Sequence, residues 1–314
     1  MAKHAAIQQA MERIPQLLKD FRQQVLTQAV TGKLTEEWRV GKELEEWEET
    51  KERKKHREWD LNLPLKWKLL PFYSVANIDA NLVDPNKYLD FVLVAPNNIE
   101  KATGQLLEKV LTREIKPKSD KHFFKAGSIV YSKIRPYLSK LILADFDGLC
   151  SADMYPISAE IDIHYLFQYM KSDEFLNFAT TAGERSVLPK INQKGLNQIP
   201  VPVPPLEEQQ EIFRRVESLF EKATAIEQRY EQLKSQIDTL PQAILHKAFK
   251  GELVPQLDSD GSAVELLEEI EEMKAKSKPK SKSKNKRSVR AAVENGLGMV
   301  AESGEAYNTT RIKK

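Results

Sequence analysis

The sequence predicts an α+β protein: one mixed, strand-rich domain flanked by long helices that form an antiparallel coiled coil. Three observations carry this reading. Ile212, Val216, Leu219, Ala223, Ile226, Tyr230, Leu233, Ile237, Leu240 and Ile244 recur at alternating steps of four and three, the spacing of a coiled-coil seam rather than of the broader face of a surface helix. The same steps run through Ile7, Met11, Ile14, Leu18, Phe21 and Val25 at the start of the chain. Between the two seams, β-rich runs recur at Phe91–Val94, Ser128–Tyr131 and Lys140–Leu143, separated by Gly, Pro and Asp.

The two seams are copies of one another. An offset of 219 carries the first onto the second without a gap and aligns Leu26, Ala29, Gly32 and Leu34 with Leu245, Ala248, Gly251 and Leu253. In each copy the glycine stands where the helix should end, suited to a left-handed C-terminal residue. The second helix starts near Leu206, so the first is short at its front by comparison. One helix enters and the other leaves the same domain. They are therefore expected to lie antiparallel, burying their seams on each other or on a second chain, since neither is stable alone in water. Pro241 removes one backbone hydrogen bond from the second helix at a cost of about 3 kcal/mol, which predicts a break or kink there.

The remaining elements follow in order. Residues 1–35 form the entering helix. Residues 36–60 form a charged linker: from Glu36 to Glu58 there are nine Glu against seven Lys and Arg, with no clean apolar face. The domain spans 61–205. A helix is expected over Ile163 to Thr181, with Ile163, Leu166, Phe167, Met170, Leu176 and Phe178 forming a core stripe. Pro200, Pro202, Pro204 and Pro205 mark an extended connector. The leaving helix spans 206–253. Residues 254–314 supply a short helix and a basic tail, with nine cations and no acid from Lys274 to Arg290, expected to be disordered.

Composition excludes several classes. The 314 residues, at about 150 per domain, suggest two units. No apolar run approaches the roughly 18 residues of a membrane span, and Met1-Ala2-Lys3-His4 does not open a secretion signal. Cys150 is the single cysteine, so no internal disulfide or multi-cysteine metal site exists. No two histidines fall in a His-x-x-x-His pair. These features fit a cytoplasmic protein. The sequence has no Asp/Asn-Pro-Pro-Tyr/Phe, no Gly-x-Gly-x-x-Gly, no phosphate-binding Gly-x-x-x-x-Gly-Lys-Ser/Thr and no Pro-Asp pair. Asp145 and Asp147 lack supporting metal ligands, and Cys150 reads as a small buried residue. No catalytic residue and no metal site are expected.

A net charge of +2 hides segregation. Arg113 to Lys140 holds eight cations and two acids, a local net of +6, whereas Asp145 to Glu174 holds seven acids and one lysine, a net of −6. Within the first stretch, Ser132, Lys133, Arg135, Tyr137 and Lys140 interleave cations, hydroxyls and a ring. Lys and Arg neutralise phosphates, Arg forks onto guanine, and Ser or Tyr can bond to the backbone. The alternative is a strand with a solvated face. A second polar stretch, Gly183 to Gly195, adds Arg185, Lys190, Asn192, Gln193 and Lys194.

The whole layout resembles the DNA-specificity subunits of Type I restriction-modification systems. The resemblance rests on the helix end from Phe21 to Arg39, the domain exit Ile199-Pro200-Val201-Pro202-Val203-Pro204-Pro205-Leu206-Glu207-Glu208-Gln209-Gln210-Glu211-Ile212, and the stretch from Leu240 to Gln256. The resemblance implies that residues 61–205 are a target-recognition domain reading one half of a bipartite site in double-stranded DNA. It implies that the helices space the halves and dock methyltransferase (M) subunits and, through them, restriction (R) subunits. S-adenosylmethionine, ATP and Mg would then belong to those partners, with no cofactor in this chain. Family members commonly carry two recognition domains. A single one implies either a half-subunit pairing with a second copy or the C-terminal part of a longer subunit. The reading from another class is a noncatalytic coiled-coil adaptor that binds proteins.

Overall fold

In a computed structural model, which describes residues 2–49, 63–181, 189–255, 257 and 261–277, the N-terminal seam forms two consecutive helices, α1 (Ala2–Met11) and α2 (Ile14–Val30). A proline in the first turn of α2 starts it without loss, because an N–H there has no partner in the helix. Gly32 ends the run at φ 76°, and Gly251 occupies the same conformation at φ 73° after the second seam. A Cβ on Gly32 would fall 2.4 Å from Pro64 Cγ. A 3-10 turn, Lys33–Thr35, and α3 (Glu36–Arg39) follow.

The domain that comes next is α+β. Its elements in order are β1 (Lys68–Pro71), α4 (Phe72–Val75), β2 (Ala76–Ile78), β3 (Leu82–Val83), β4 (Val92–Val94), α5 (Thr112–Ile115), β5 (Lys121–Phe124), β6 (Ile129–Ser132), β7 (Leu141–Leu143), β8 (Gly148–Cys150), β9 (Met154–Ala159), α6 (Ile163–Lys171), α7 (Asp173–Thr181), α8 (Gln193–Asn197) and β10 (Pro200–Val203). Strands β2-β9-β6-β7 form an antiparallel sheet. A second sheet, β3-β5-β8-β4, is antiparallel except for the parallel pair β4 and β8. Ile129 and Tyr131 face a core shared with α2, α6, α7 and the helix after β10, while Val130 joins Val94, Phe124, Ile142 and Cys150 in a second core. Burial on both faces explains why β6 reads as an unbroken apolar run rather than an alternating one. Cys150 is buried, and burial pushes its thiol well above the ordinary range.

Two expectations are corrected here. The helix predicted over 163–181 is two, because Ser172 takes an extended conformation (ψ 154°) and its hydroxyl accepts from the Phe175 N–H, restarting the helix as an N-cap does. The proline-rich connector is not a free spacer: β10 pairs antiparallel with β1, from Lys68 opposite Val203 to Pro71 opposite Pro200. A two-stranded sheet has no centre, so prolines fit. The carbonyls of Pro202 and Pro200 accept from the Tyr165 and Tyr169 hydroxyls.

The second seam forms α9 (Leu206–Phe249), and here a third expectation is corrected: the helix does not break at Pro241 but runs through it. Proline removes the donor that would have met the carbonyl of Ile237, four residues back. His4 Nε2 from α1 lies 2.9 Å from that carbonyl and takes the place of the missing amide. Contacts of Arg22 with Glu227 at 2.8 Å and of His4 with Ile237 show the two helices antiparallel. The seam closes unevenly: Val216, Ala223 and Tyr230 are buried and Ile237 partly so, one closed row, whereas the other row opens away from the domain, from buried Ile212 and partly buried Leu219 to Ile226 at 54% exposed, Leu233 at 36% and Leu240 at 44%. The chain divides into two compact units, residues 1–243 and 244–314. The second holds the last residues of α9 and α10 (Ala263–Ser277). Most of the predicted basic tail, and residues 50–60 of the predicted linker, lie outside the described residues.

Candidate nucleic-acid interface

The β6–β7 connection and the segment before α8, 50 residues apart in sequence, form one surface. The Ser132 N–H donates to the Lys140 carbonyl at 2.9 Å and closes the loop between the two strands. The Arg135 N–H donates to the Pro189 carbonyl at 2.8 Å, and the Ile191 N–H to the Lys133 carbonyl at 2.9 Å, with Ile134 paired opposite Lys190. At the loop tip, Pro136–Leu138 makes one 3-10 turn bracketed by two non-glycine residues in the left-handed region, Arg135 (φ 49°) and Ser139 (φ 47°). Such residues are uncommon and carry strain that surrounding contacts must hold. The three main-chain bonds supply that support.

The predicted contact residues divide by orientation. Arg135, Lys190, Asn192, Gln193 and Lys194 are exposed, and Tyr137 is 49% exposed. The Asn192 side chain also accepts from the Gly195 N–H at 2.8 Å and caps α8. Three residues turn inward instead. Ser132 is 2% exposed, with its hydroxyl donating to the Ile134 carbonyl. The Lys133 ammonium donates to the Ala152 carbonyl at 2.5 Å and sits 5.0 Å from the Tyr155 ring centroid. The Lys140 ammonium donates to the Pro96 carbonyl at 2.6 Å. These three shape the loop, because their polar atoms are engaged by the protein itself. Arg185 lies outside the described residues.

The electrostatics are more mixed than the sequence suggests. Strand β9 lies beside β6, so Asp153, from the acidic stretch, stands 3.8 Å from Lys190. Burial lowers the Lys133 ammonium below its ordinary range and Lys190 lowers it further, while Asp153 opposes both. Charges segregated along the chain are thus interleaved in space. Elsewhere in the basic stretch, Lys121 is buried with its ammonium on Ser119, and Arg113 pairs with Asp90 at 2.8 Å. Among the described residues, the exposed cations of these two segments are Arg135, Lys190 and Lys194.

Comparison with known proteins decides the family. Residues 71–235 match the family described as the Type I restriction modification DNA specificity domain. The chain belongs to that family. Among curated Type I specificity subunits, it is 45% identical over 278 residues to the EcoDI subunit of Escherichia coli, covering 85% of this chain and 63% of that protein. It is 27% identical to the EcoBI subunit of Escherichia coli, covering 85% of this chain and 59% of that protein. This specificity-family chain therefore spans about three fifths of the length of the relatives it matches. A solved chain from work on complex assembly and conformational transition of the type I R-M system aligns over 80% of this chain and 58% of its own length, with TM-score 0.51 and 16% identity, a likeness of fold.

The family match includes both segments of the surface and the first part of α9. Sequence reasoning missed two residues that the structure of this family member brings forward. One is Asp153, hidden because it sits in an acidic stretch far along the chain. The other is Glu208, fully buried at the start of α9, which periodicity treats as an ordinary polar position. Among the described residues no cluster of His, Cys, Asp and Glu could hold a metal ion, and no helix is long and apolar enough to cross a membrane.

Proposed function

We propose that the chain reads a DNA sequence rather than altering one, and that Arg135, Tyr137, Lys190, Gln193 and Lys194 meet the duplex. The observation that carries this reading is the membership of residues 71–235 in a DNA specificity family, joined to the convergence of two polar segments on one strained loop. The chain reads one half of a bipartite target. The helix pair spaces that half from the other and docks methyltransferase subunits, which in turn carry the restriction subunits. S-adenosylmethionine, ATP and Mg serve those partners. Arg135 and Tyr137 read bases, and Lys190 and Lys194 hold phosphates.

The test is a salt titration of DNA binding by the assembled complex. Removing two phosphate contacts with Lys190→Ala and Lys194→Ala should reduce the slope of log affinity against log salt by about 1.8, at about 0.9 per contact. Arg135→Ala should relax base preference and cost about 1–3 kcal/mol. Unchanged slope and preference would remove these residues from the interface.

A second reading is favoured by one observation, the open apolar row Ile226, Leu233 and Leu240: a coiled-coil adaptor that binds only proteins. Methylation sequencing of DNA from cells carrying the complete system separates the two. A defined methylated motif that depends on this chain supports recognition, and its absence supports the adaptor.

A further inference from the structure

Glu208 is a fully buried acid in the first turn of α9, and both of its carboxylate oxygens are engaged. Oε1 accepts from the Thr35 hydroxyl at 2.6 Å and from Arg39 Nη1 at 2.5 Å. Oε2 accepts from the Trp67 indole N–H at 2.8 Å. The donors come from three places: the turn that ends the entering helix, the short helix α3, and the approach to β1. Thr35 is 173 residues from Glu208 and Trp67 is 141, so no local motif produces the arrangement. Arg39 also donates to Thr35 at 3.0 Å and lies 6.0 Å from the Trp67 ring centroid.

The neighbours of Glu208 extend the same junction. Gln209, also fully buried, accepts from the Asp162 N–H ahead of α6 and donates to the Pro204 carbonyl, each at 2.8 Å. Arg215 donates to the Leu34 carbonyl at 2.8 Å. The entering helix, the strand pair β1–β10 and α6 therefore meet at the first three turns of α9.

A buried ion pair is weak evidence for stability, because stripping water from both charges costs about what their attraction returns. Apolar packing alone would glue the helices to the domain while leaving their mutual angle soft. Three directional donors converging on one charged acceptor define an angle, since each bond weakens steeply as its geometry departs from linear. We infer that Glu208 is a positioning residue: its carboxylate sets the angle between the domain and the helix pair. Resting on the function proposed above, this angle fixes which separation between two half-sites the assembled complex accepts.

The experiment has two arms. In the full chain, spin labels at Leu82→Cys in the domain and Lys222→Cys on α9 report the angle; both positions are exposed, and the native Cys150 is buried. The unaltered junction should give one narrow distance distribution and Glu208→Gln one about twice as wide or shifted. If Glu208→Gln does not fold, Trp67→Phe removes a single donor and should broaden the distribution less. In the methyltransferase complex, a DNA library with half-site separations varied one base pair at a time should show one accepted separation for the native chain. Glu208→Gln should accept at least one neighbouring separation while the half-site sequence stays the same.

A lowered melting temperature with unchanged distances would mean that Glu208 only stabilises, and would overturn the inference. Broadened distances with an unchanged accepted separation would overturn its consequence for DNA. A native complex that methylates no defined sequence would overturn the proposed function instead, leaving the label distances to decide the junction independently.

Discussion

The two ends of the helix pair are built on different principles. At the domain end, Val25, Leu26, Ile212 and Val216 are buried in the main core, and side chains from three stretches of chain close around Glu208. At the far end, among the described residues, the pair shows one buried row, one open row and single polar contacts such as Arg22 to Glu227 and His4 to the Ile237 carbonyl. The same four-and-three spacing thus yields a domain core at one end and half a coiled coil at the other. Periodicity specifies a face, while the surroundings decide how much of that face is covered.

The largest test of this contrast is a pair of truncations. Ile212→Ala should lower the unfolding free energy by about 2–5 kcal/mol, the usual range for emptying a packed site. Leu233→Ala, at a position 36% exposed, should cost less than about 1 kcal/mol. Urea denaturation measures both, and equal losses would erase the distinction between the ends.

A smaller effect should come from Lys171, buried at the domain end with its ammonium 5.1 Å and 5.3 Å from the Phe167 and Phe220 ring centroids. Burial lowers its pKa to about 8, with Glu217 opposing the shift and Arg22 adding to it. The unfolded chain therefore binds one more proton than the folded chain between pH 8 and the ordinary lysine value. Stability contributed by this site rises across that window, and the penalty is complete below it. Lys171→Met should raise stability at pH 7 by about 1–3 kcal/mol and flatten the rise between pH 8 and 10. A variant less stable than the native chain at pH 7 would show that the two rings and Glu217 compensate the buried charge.

The smallest effect belongs to the far end. His4→Ala should cost about 1 kcal/mol by leaving the Ile237 carbonyl without its donor, seen as faster amide exchange near Ile237. In a Pro241→Ala background the restored amide should meet that carbonyl, and His4→Ala should then cost little. Additive losses would mean that His4 does not replace the proline's missing donor.

Much of the fold was legible because it follows local rules. The two seams, the two left-handed glycines and the β-rich runs come from spacing and residue type alone. Ser172 also carried a local signal, a hydroxyl followed by Asp173 and Glu174, overridden by the longer apolar pattern around it. Other features depend on distant partners. Helix α9 passes Pro241 where a histidine 233 positions earlier lies against the orphaned carbonyl, and β10 forms because β1 lies beside it. The surface was legible in part for the same reason. Arg135, Tyr137, Lys190 and Lys194 are exposed as their types suggest, but composition cannot tell which lysines turn inward. Lys133 and Lys140 reach carbonyls of Ala152 and Pro96 that only the folded sheets bring near.

The loop between β6 and β7 is held at its base by three bonds that involve only main-chain atoms, Ser132 to Lys140, Arg135 to Pro189 and Ile191 to Lys133. No exposed side chain takes part in any of them. Positions 135, 137 and 190 can therefore be exchanged without removing the scaffold that presents them, so the chemistry displayed at this surface can change by single substitutions while its shape is inherited unchanged.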